Sequence, residues 1–184
     1  MESTLCKVVE GLTFCCFYLL SNKSFRRPRK DWRTGAVGFI WILGTISTYF
    51  NITKHQTESP SRLIAATTCN IASVALFLWV LLYTNAPSKR PLAACFSESF
   101  PSLIHVDGPF SLCRHPVYFS YLLKWTATSL ATDSWLQLMF PVLMVCIYTY
   151  TAKTEEEFIL RGSKREEYVF YSKKTPMFIP FMKM

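Results

Sequence analysis

Two polar clusters interrupt an otherwise apolar sequence, and their residue types suit a ligand that carries both an anionic group and hydrogen-bond donors. The first runs Gly108-Pro109-Phe110-Ser111-Leu112-Cys113-Arg114-His115-Pro116-Val117-Tyr118, and the second is Glu155-Glu156-Glu157. Proline fixes φ and has no N–H, so Pro116 fits the first turn of a helix that continues through apolar Val117 to Leu123. The unpaired N–H groups of that turn point back toward the Gly108 loop and attract anions, as does Arg114 beside them. Carboxylates such as Glu156 and Glu157 instead accept hydrogen bonds from hydroxyl or ammonium groups.

For residues about 40 apart to share one pocket, the segments between them must form a hairpin. Pro116 to Ala131 and Trp135 to Tyr150 are both apolar, and Thr132-Asp133-Ser134 reads as a tight turn that returns Glu155 to Glu157 to the face of Arg114 and His115. Upstream, Ser61 to Thr84 is the clearest apolar span. From Leu63 to Tyr83 it carries no charge, long enough for the about 20 residues that cross a hydrocarbon core. Leu5 to Leu20 and Gly35 to Phe50 are shorter candidates, and Lys7 and Glu10 weaken the first of these.

Hydrophobic residues make up 51% of the 184 residues and aromatic residues 16%, which leaves too little polar surface to solvate five such segments. The expected fold is all-α, a polytopic membrane helical bundle of about five transmembrane helices. Asn85 to Ser111, with Pro87, Pro91, Pro101 and Pro109, reads as a long irregular connection. Beyond the carboxylates, Phe158 to Tyr171 is charged and amphipathic, and Pro176 and Pro180 end it. This stretch is expected to lie over the pocket as a cytosolic C-terminal amphipathic lid.

The net charge of +8 is distributed beside apolar spans, which points to anionic lipid headgroups and excludes a base-reading nucleic-acid element. Lys23, Arg26, Arg27, Arg29, Lys30 and Arg33 lie between the first two candidate spans, whereas Lys54 and Arg62 bracket the next loop. The first loop is therefore expected in the cytosol, and alternation places Arg114 and the basic C-terminal tail on the same side. Leu5 to Leu20 precedes its basic cluster and lacks a small-residue cleavage site, so it reads as a retained anchor.

Seven cysteines, odd in number and mostly within apolar runs, favour packed free thiols. His55, His105 and His115 are scattered, so no metal site is expected. Asn51-Ile52-Thr53 is a glycosylation sequon that abuts the membrane, a poor position for modification.

The order Gly108-Pro109-Phe110, Arg114-His115-Pro116-Val117-Tyr118, Glu155-Glu156, Tyr168 and Tyr171, then Thr175-Pro176-Met177-Phe178-Ile179-Pro180-Phe181 resembles the isoprenylcysteine carboxyl methyltransferase family and related integral-membrane methyltransferases. The resemblance covers Leu103 to Phe181. It implies S-adenosylmethionine as cofactor, contacted by Gly108, Arg114, His115, Pro116, Tyr118, Glu156 and Glu157. It further implies a lipophilic or prenylated acceptor and, in a eukaryote, an endoplasmic reticulum membrane with the site facing the cytosol. The chain is then one methyltransferase domain, residues 1–184, with scaffold spans in 1–84 and the cofactor-binding and catalytic part in 85–181.

Methyl transfer is an in-line displacement in which positioning supplies most of the effect. A carboxylate acceptor is already anionic and needs no base, which favours O-methylation in a pocket with no obvious base beyond His115 and His105. Lys174 stands where relatives carry Arg, and with Arg114 it is the catalytic candidate. Lys174 and Lys124 are candidate substrate contacts. Lys124 lies in an apolar span, where an ionisable group marks a site or snorkels to the interface. Each polar residue also has a structural reading: Arg114 anchoring to headgroups, His115 closing a helix end, the acidic run solvated, and Trp125 packing. Three rivals to O-methylation are phospholipid-type N-methylation, sterol-reductase-like oxidoreduction with NADPH, and a non-catalytic membrane assembly role.

Overall fold

The computed structural model describes residues 2–24, 32–55, 57–85 and 104–180. The basic connection 25–31 and the greater part of the proline-containing connection, 86–103, lie outside the described residues. Among the described residues, seven α-helices follow in chain order: α1 (Glu2–Ser24), α2 (Trp32–Lys54), α3 (Pro60–Thr84), α4 (Pro109–Leu112), α5 (Pro116–Leu130), α6 (Met139–Leu160) and α7 (Arg165–Lys174), with a 3₁₀ turn at Trp135–Leu138 before α6. Pro60, Pro109 and Pro116 each open a helix, where a missing N–H costs nothing. No strand occurs among the described residues.

Among the described residues, three segments are long and apolar enough to cross a membrane: Gly35–Lys54, Pro60–Thr84 and Trp135–Leu160. Their outward faces carry Ile42, Ile46, Phe50, Ile71, Leu82 and Val142 exposed, the apolar surface that lipid would cover. The other two expected spans are helices, but they do not meet the same test. In α1 the apolar part is the short Val8–Phe17, and the 15 residues of α5 reach about 22 Å against a hydrocarbon core of about 30 Å. These are the two segments interrupted by Glu10 and Lys124, whose side chains form an ion pair inside the bundle.

The core is aromatic. Phe17 lies 4.5 Å from Phe77 between ring centroids, Trp41 lies 5.2 Å from Trp125, and Trp125 stacks on Phe140 at 5.5 Å. α5 packs most extensively on α3, with α6 on its other side. Gly44 of α2 lets the Trp125 ring approach, since a Cβ there would collide with it. Trp125 is fully buried, a packing residue.

The expected turn between α5 and the 3₁₀ helix is present and joined to the α2–α3 connection. The Asp133 amide donates to His55 O at 2.8 Å, and Arg62 pairs with Asp133 while donating to Thr132 O at 2.6 Å. The opposite end of the bundle therefore holds residues 104–118 together with the end of α6, as alternation of the helices requires. At the Asp133 end, the Asn51 side-chain amide donates to Ser47 O of its own helix at 2.9 Å.

Two boundaries differ from expectation. α6 runs on to Leu160, so the three carboxylates sit inside its last turns. The expected amphipathic stretch from Phe158 is broken by a turn at residues 161–164, and α7 begins only at Arg165. Glu166 and Glu167 in its first turn and Lys173 and Lys174 in its last oppose the helix dipole.

Candidate functional site

Helix α5 begins on Pro116 and α6 ends past Glu156, and the two helix ends bring the sequence's two polar clusters into contact. Arg114 forms a bidentate pair with Glu156, Nε donating to Oε1 at 2.7 Å and Nη2 to Oε2 at 3.1 Å. His115 Nε2 lies 3.0 Å from the same Oε1, and its Nδ1 lies 3.7 Å from Glu155 Oε2. One turn along α5, the Tyr118 hydroxyl donates to Glu155 Oε1 at 2.8 Å. The His115, Glu155 and Glu156 side chains keep 11%, 22% and 13% of their surface, so the cluster is recessed yet reachable.

Aromatic faces line it. His115 stacks on Tyr118 with centroids 5.6 Å apart, Tyr118 stacks on Tyr148 at 4.9 Å, and buried Phe178 lies 5.9 Å from His115. Such faces attract cations through the ring quadrupole. The cluster sets two carboxylates, Glu155 and Glu156, around one imidazole, with the Arg114 guanidinium on Glu156.

Burial works against the charge on Arg114, but the hydrogen bonds and charge of Glu156 outweigh it and hold the guanidinium above its ordinary pKa. Burial pushes the Cys113 thiol up to about 12, only partly offset by the His115 backbone and Arg114. Burial likewise raises the Tyr168 and Tyr171 phenols, and the nearby Glu156 charge adds to both. These three groups stay protonated and act as packing and hydrogen-bonding groups. Tyr171 donates to Phe110 O at 2.6 Å.

Gly108 has φ +61, a conformation that side chains rarely adopt, and a Cβ there would lie 2.7 Å from the Tyr83 ring. It shapes the chain entering α4 against the end of α3. His105, beside Tyr83, stacks on Phe110 at 5.2 Å.

Of the expected site residues, the structure brings Arg114, His115, Tyr118 and Glu156 together, with Pro116 at the helix start. Glu157 is not with them. Its side chain is 66% exposed and faces Arg161 at 3.8 Å, because a continuous helix rotates about 100° per residue and cannot present three successive carboxylates to one face. Glu155 takes that place instead. The signal lay in helical spacing: Tyr148, Ala152 and Glu155 share one face of α6, and His115 and Tyr118 share one of α5.

The start of α5 is also less open than the sequence suggests. The amides of Arg114 and His115 donate to Pro176 O at 2.8 Å and Met177 O at 3.0 Å, so residues following α7 cover them. Lys174 is exposed, its ammonium 4.0 Å above the Phe170 ring. Lys124 does not snorkel. It is fully buried in a separate cluster, paired with Glu10 and donating to Asn70 Oδ1 at 3.1 Å and Thr13 Oγ1 at 3.2 Å.

A family described as PEMT, phospholipid methyltransferase, matches residues 62–162, more than half of the chain and the whole stretch from α3 to the carboxylates. The chain is also similar to the cobalt-zinc-cadmium resistance protein CzcN of Cupriavidus metallidurans, 28% identical over 104 residues. That match covers 56% of this chain and 42% of the relative, so the chain spans well under half the length of the protein it matches. Among the described residues, no group of three or more His, Cys, Asp or Glu side chains is placed to hold a metal ion.

Proposed function

The chain belongs to the phospholipid methyltransferase family, and on that premise we propose that it is a membrane methyltransferase that binds S-adenosylmethionine at the junction of α5 and α6 and methylates a lipophilic acceptor. The observation that carries the proposal is the convergence of His115, Tyr118, Glu155 and Glu156 in one recessed, aromatic-lined cluster. The donor set fits the cofactor. Carboxylates accept from an ammonium and from ribose hydroxyls, and stacked aromatic faces suit a sulfonium cation.

When bound, the cofactor would supply an electrophilic sulfonium methyl for the acceptor's lone pair, the C–S bond breaking to leave the thioether S-adenosylhomocysteine. The chain's own work is positional. Glu156, fixed by Arg114 and His115, keeps its carboxylate in one orientation, and Tyr118 does the same for Glu155. The aromatic lining excludes water from the path of transfer. α7 and the residues after it act as the lid.

A carboxylate acceptor reacts without a base and is the leading reading. A phospholipid amine is the second, favoured by the family description, with the His115 imidazole as the candidate base. The site faces the cytosol, in the endoplasmic reticulum membrane if the source is eukaryotic, with Lys174 as a further candidate for the acceptor. The family match weighs against the reductase reading.

Titration of the detergent-purified protein with S-adenosylhomocysteine and, separately, with NADPH tests the proposal. Saturable binding of S-adenosylhomocysteine alone is expected; binding of NADPH alone, or of neither, would overturn it. Methyl label recovered in the organic phase then separates the acceptors, since a methyl ester releases methanol in alkali and a methylamine does not.

A further inference from the structure

The Arg114 guanidinium is hydrogen-bonded to the protein at all three of its nitrogens. Of the five N–H donors of a guanidinium, four are spent: Nε and Nη2 on Glu156, and Nη1 on Ser172 O at 3.2 Å and Thr175 O at 2.6 Å. Tyr168 is a further hydrogen-bonding neighbour. A side chain so committed has little left for a ligand. Its partners instead mark a seam: the carbonyls of residues 172 and 175 lie at the end of α7, the next two carbonyls take the amides of Arg114 and His115, and Phe178 packs against the His115 and Tyr118 rings. All of these partners beyond Glu156 lie outside the residues matched by the family.

We propose that Arg114 is a positioning residue that fastens residues 172–178 over the start of α5, and that this fastened segment, through Phe178, forms one wall of the cofactor site. The proposal rests on the cofactor reading above. Arg114 acts by holding Glu156 at one end of its fork and the C-terminal segment at the other. The planar fork is needed, because an ammonium is a point charge and cannot serve a carboxylate and two carbonyls at fixed angles.

The test compares the full-length wild type with Arg114→Lys, Phe178→Ala and the double variant in detergent. Two quantities are read: S-adenosylhomocysteine affinity, and hydrogen exchange of the peptide containing the amides of residues 114 and 115. Arg114→Lys is expected to lose about ten- to a hundredfold in affinity, the range for a hydrogen bond to a charged group, and Phe178→Ala is expected to weaken binding as well. Each is also expected to speed exchange at those two amides, because the carbonyls that cover them are released. The double variant should be no worse than the weaker single variant, since both changes undo the same fastening.

Affinity lost in Arg114→Lys with exchange unchanged would mean that Arg114 meets the ligand directly and would overturn the proposal, as would wild-type affinity or additive losses. If Arg114→Lys does not accumulate, Phe178→Ala decides alone: faster exchange with weaker binding supports the seam, and unchanged binding overturns it. A wild type that does not bind S-adenosylhomocysteine would instead remove the cofactor reading itself.

Discussion

The protein buries charge in two places, and the two clusters solve the problem of burial in opposite ways. Between α1, α3 and α5, Lys124 spends its three donors on Glu10, Asn70 and Thr13, while the Asn70 amide returns a hydrogen bond to Glu10 at 2.6 Å. Charges cancel, the ring of bonds closes, and the Lys124 and Glu10 side chains keep 0% and 4% of their surface. At the junction of α5 and α6 there are two carboxylates for one guanidinium, an imidazole between them, and a recess that remains reachable. Buried charge in a membrane bundle is therefore not sufficient to mark a site. Charge with access to solvent is the better criterion, and the closed cluster reads as a joint that holds α1 against the bundle.

The largest effect is expected at the closed cluster. Lys124→Met leaves Glu10 buried without its partner and should cost about 3 to 5 kcal/mol of stability, whereas Glu10→Leu together with Lys124→Met should recover most of the loss. Thermal unfolding in detergent measures both. Cofactor affinity near wild type in the double variant would sharpen the comparison; loss of affinity at restored stability would break it by making Lys124 part of the site.

Next in size is Gly108→Ala, which forces a side chain into positive φ against Tyr83 and should cost about 1 to 3 kcal/mol in the same assay. An unchanged melting temperature would show that the Gly108 turn does not constrain the end of α3.

Alkaline pH should loosen the end of the molecule near the open cluster. Cys113, Tyr168 and Tyr171 all titrate higher in the folded chain than when unfolded, because burial disfavours their anions. Their contribution is complete below the unfolded pKa, about 9 for the thiol and about 10 for the phenols, and is lost as pH rises toward the folded values. Melting temperatures followed from about pH 8 to about pH 11 should fall over the upper part of that range. In Cys113→Ala the fall should be shallower, and an identical slope would remove the thiol from the account.

The smallest effects belong to exposed groups. Glu157→Gln and Lys174→Ala should each change stability by less than about 0.5 kcal/mol. Glu157→Gln should leave S-adenosylhomocysteine affinity unchanged, in contrast to Glu156→Gln. If methyl transfer falls in Lys174→Ala but not in Lys173→Ala, Lys174 serves the acceptor after all.

The helices and the meeting of Arg114, His115 and Glu156 were legible in the sequence because they follow from proline placement, apolar runs and one short turn. The choice of Glu155 over Glu157 was legible in principle from the helical period, but only once α6 was known to continue to Leu160. The pairing of Glu10 with Lys124 was not, since hydropathy counts each charge against its own segment and carries no information about a partner 114 residues away. The same limit hid the seam at residues 172–178. Its bonds run through backbone carbonyls, which every sequence possesses.

The central claim, that the open cluster and not the closed one receives the cofactor, is tested most directly by calorimetric titration of S-adenosylhomocysteine into wild type, His115→Ala and the Glu10→Leu, Lys124→Met double variant. The account predicts a loss of about ten- to a hundredfold in His115→Ala, as for removal of hydrogen bonds to a charged group. It predicts near-wild-type affinity in the double variant. Undiminished binding by His115→Ala, with binding lost in the double variant, would contradict it.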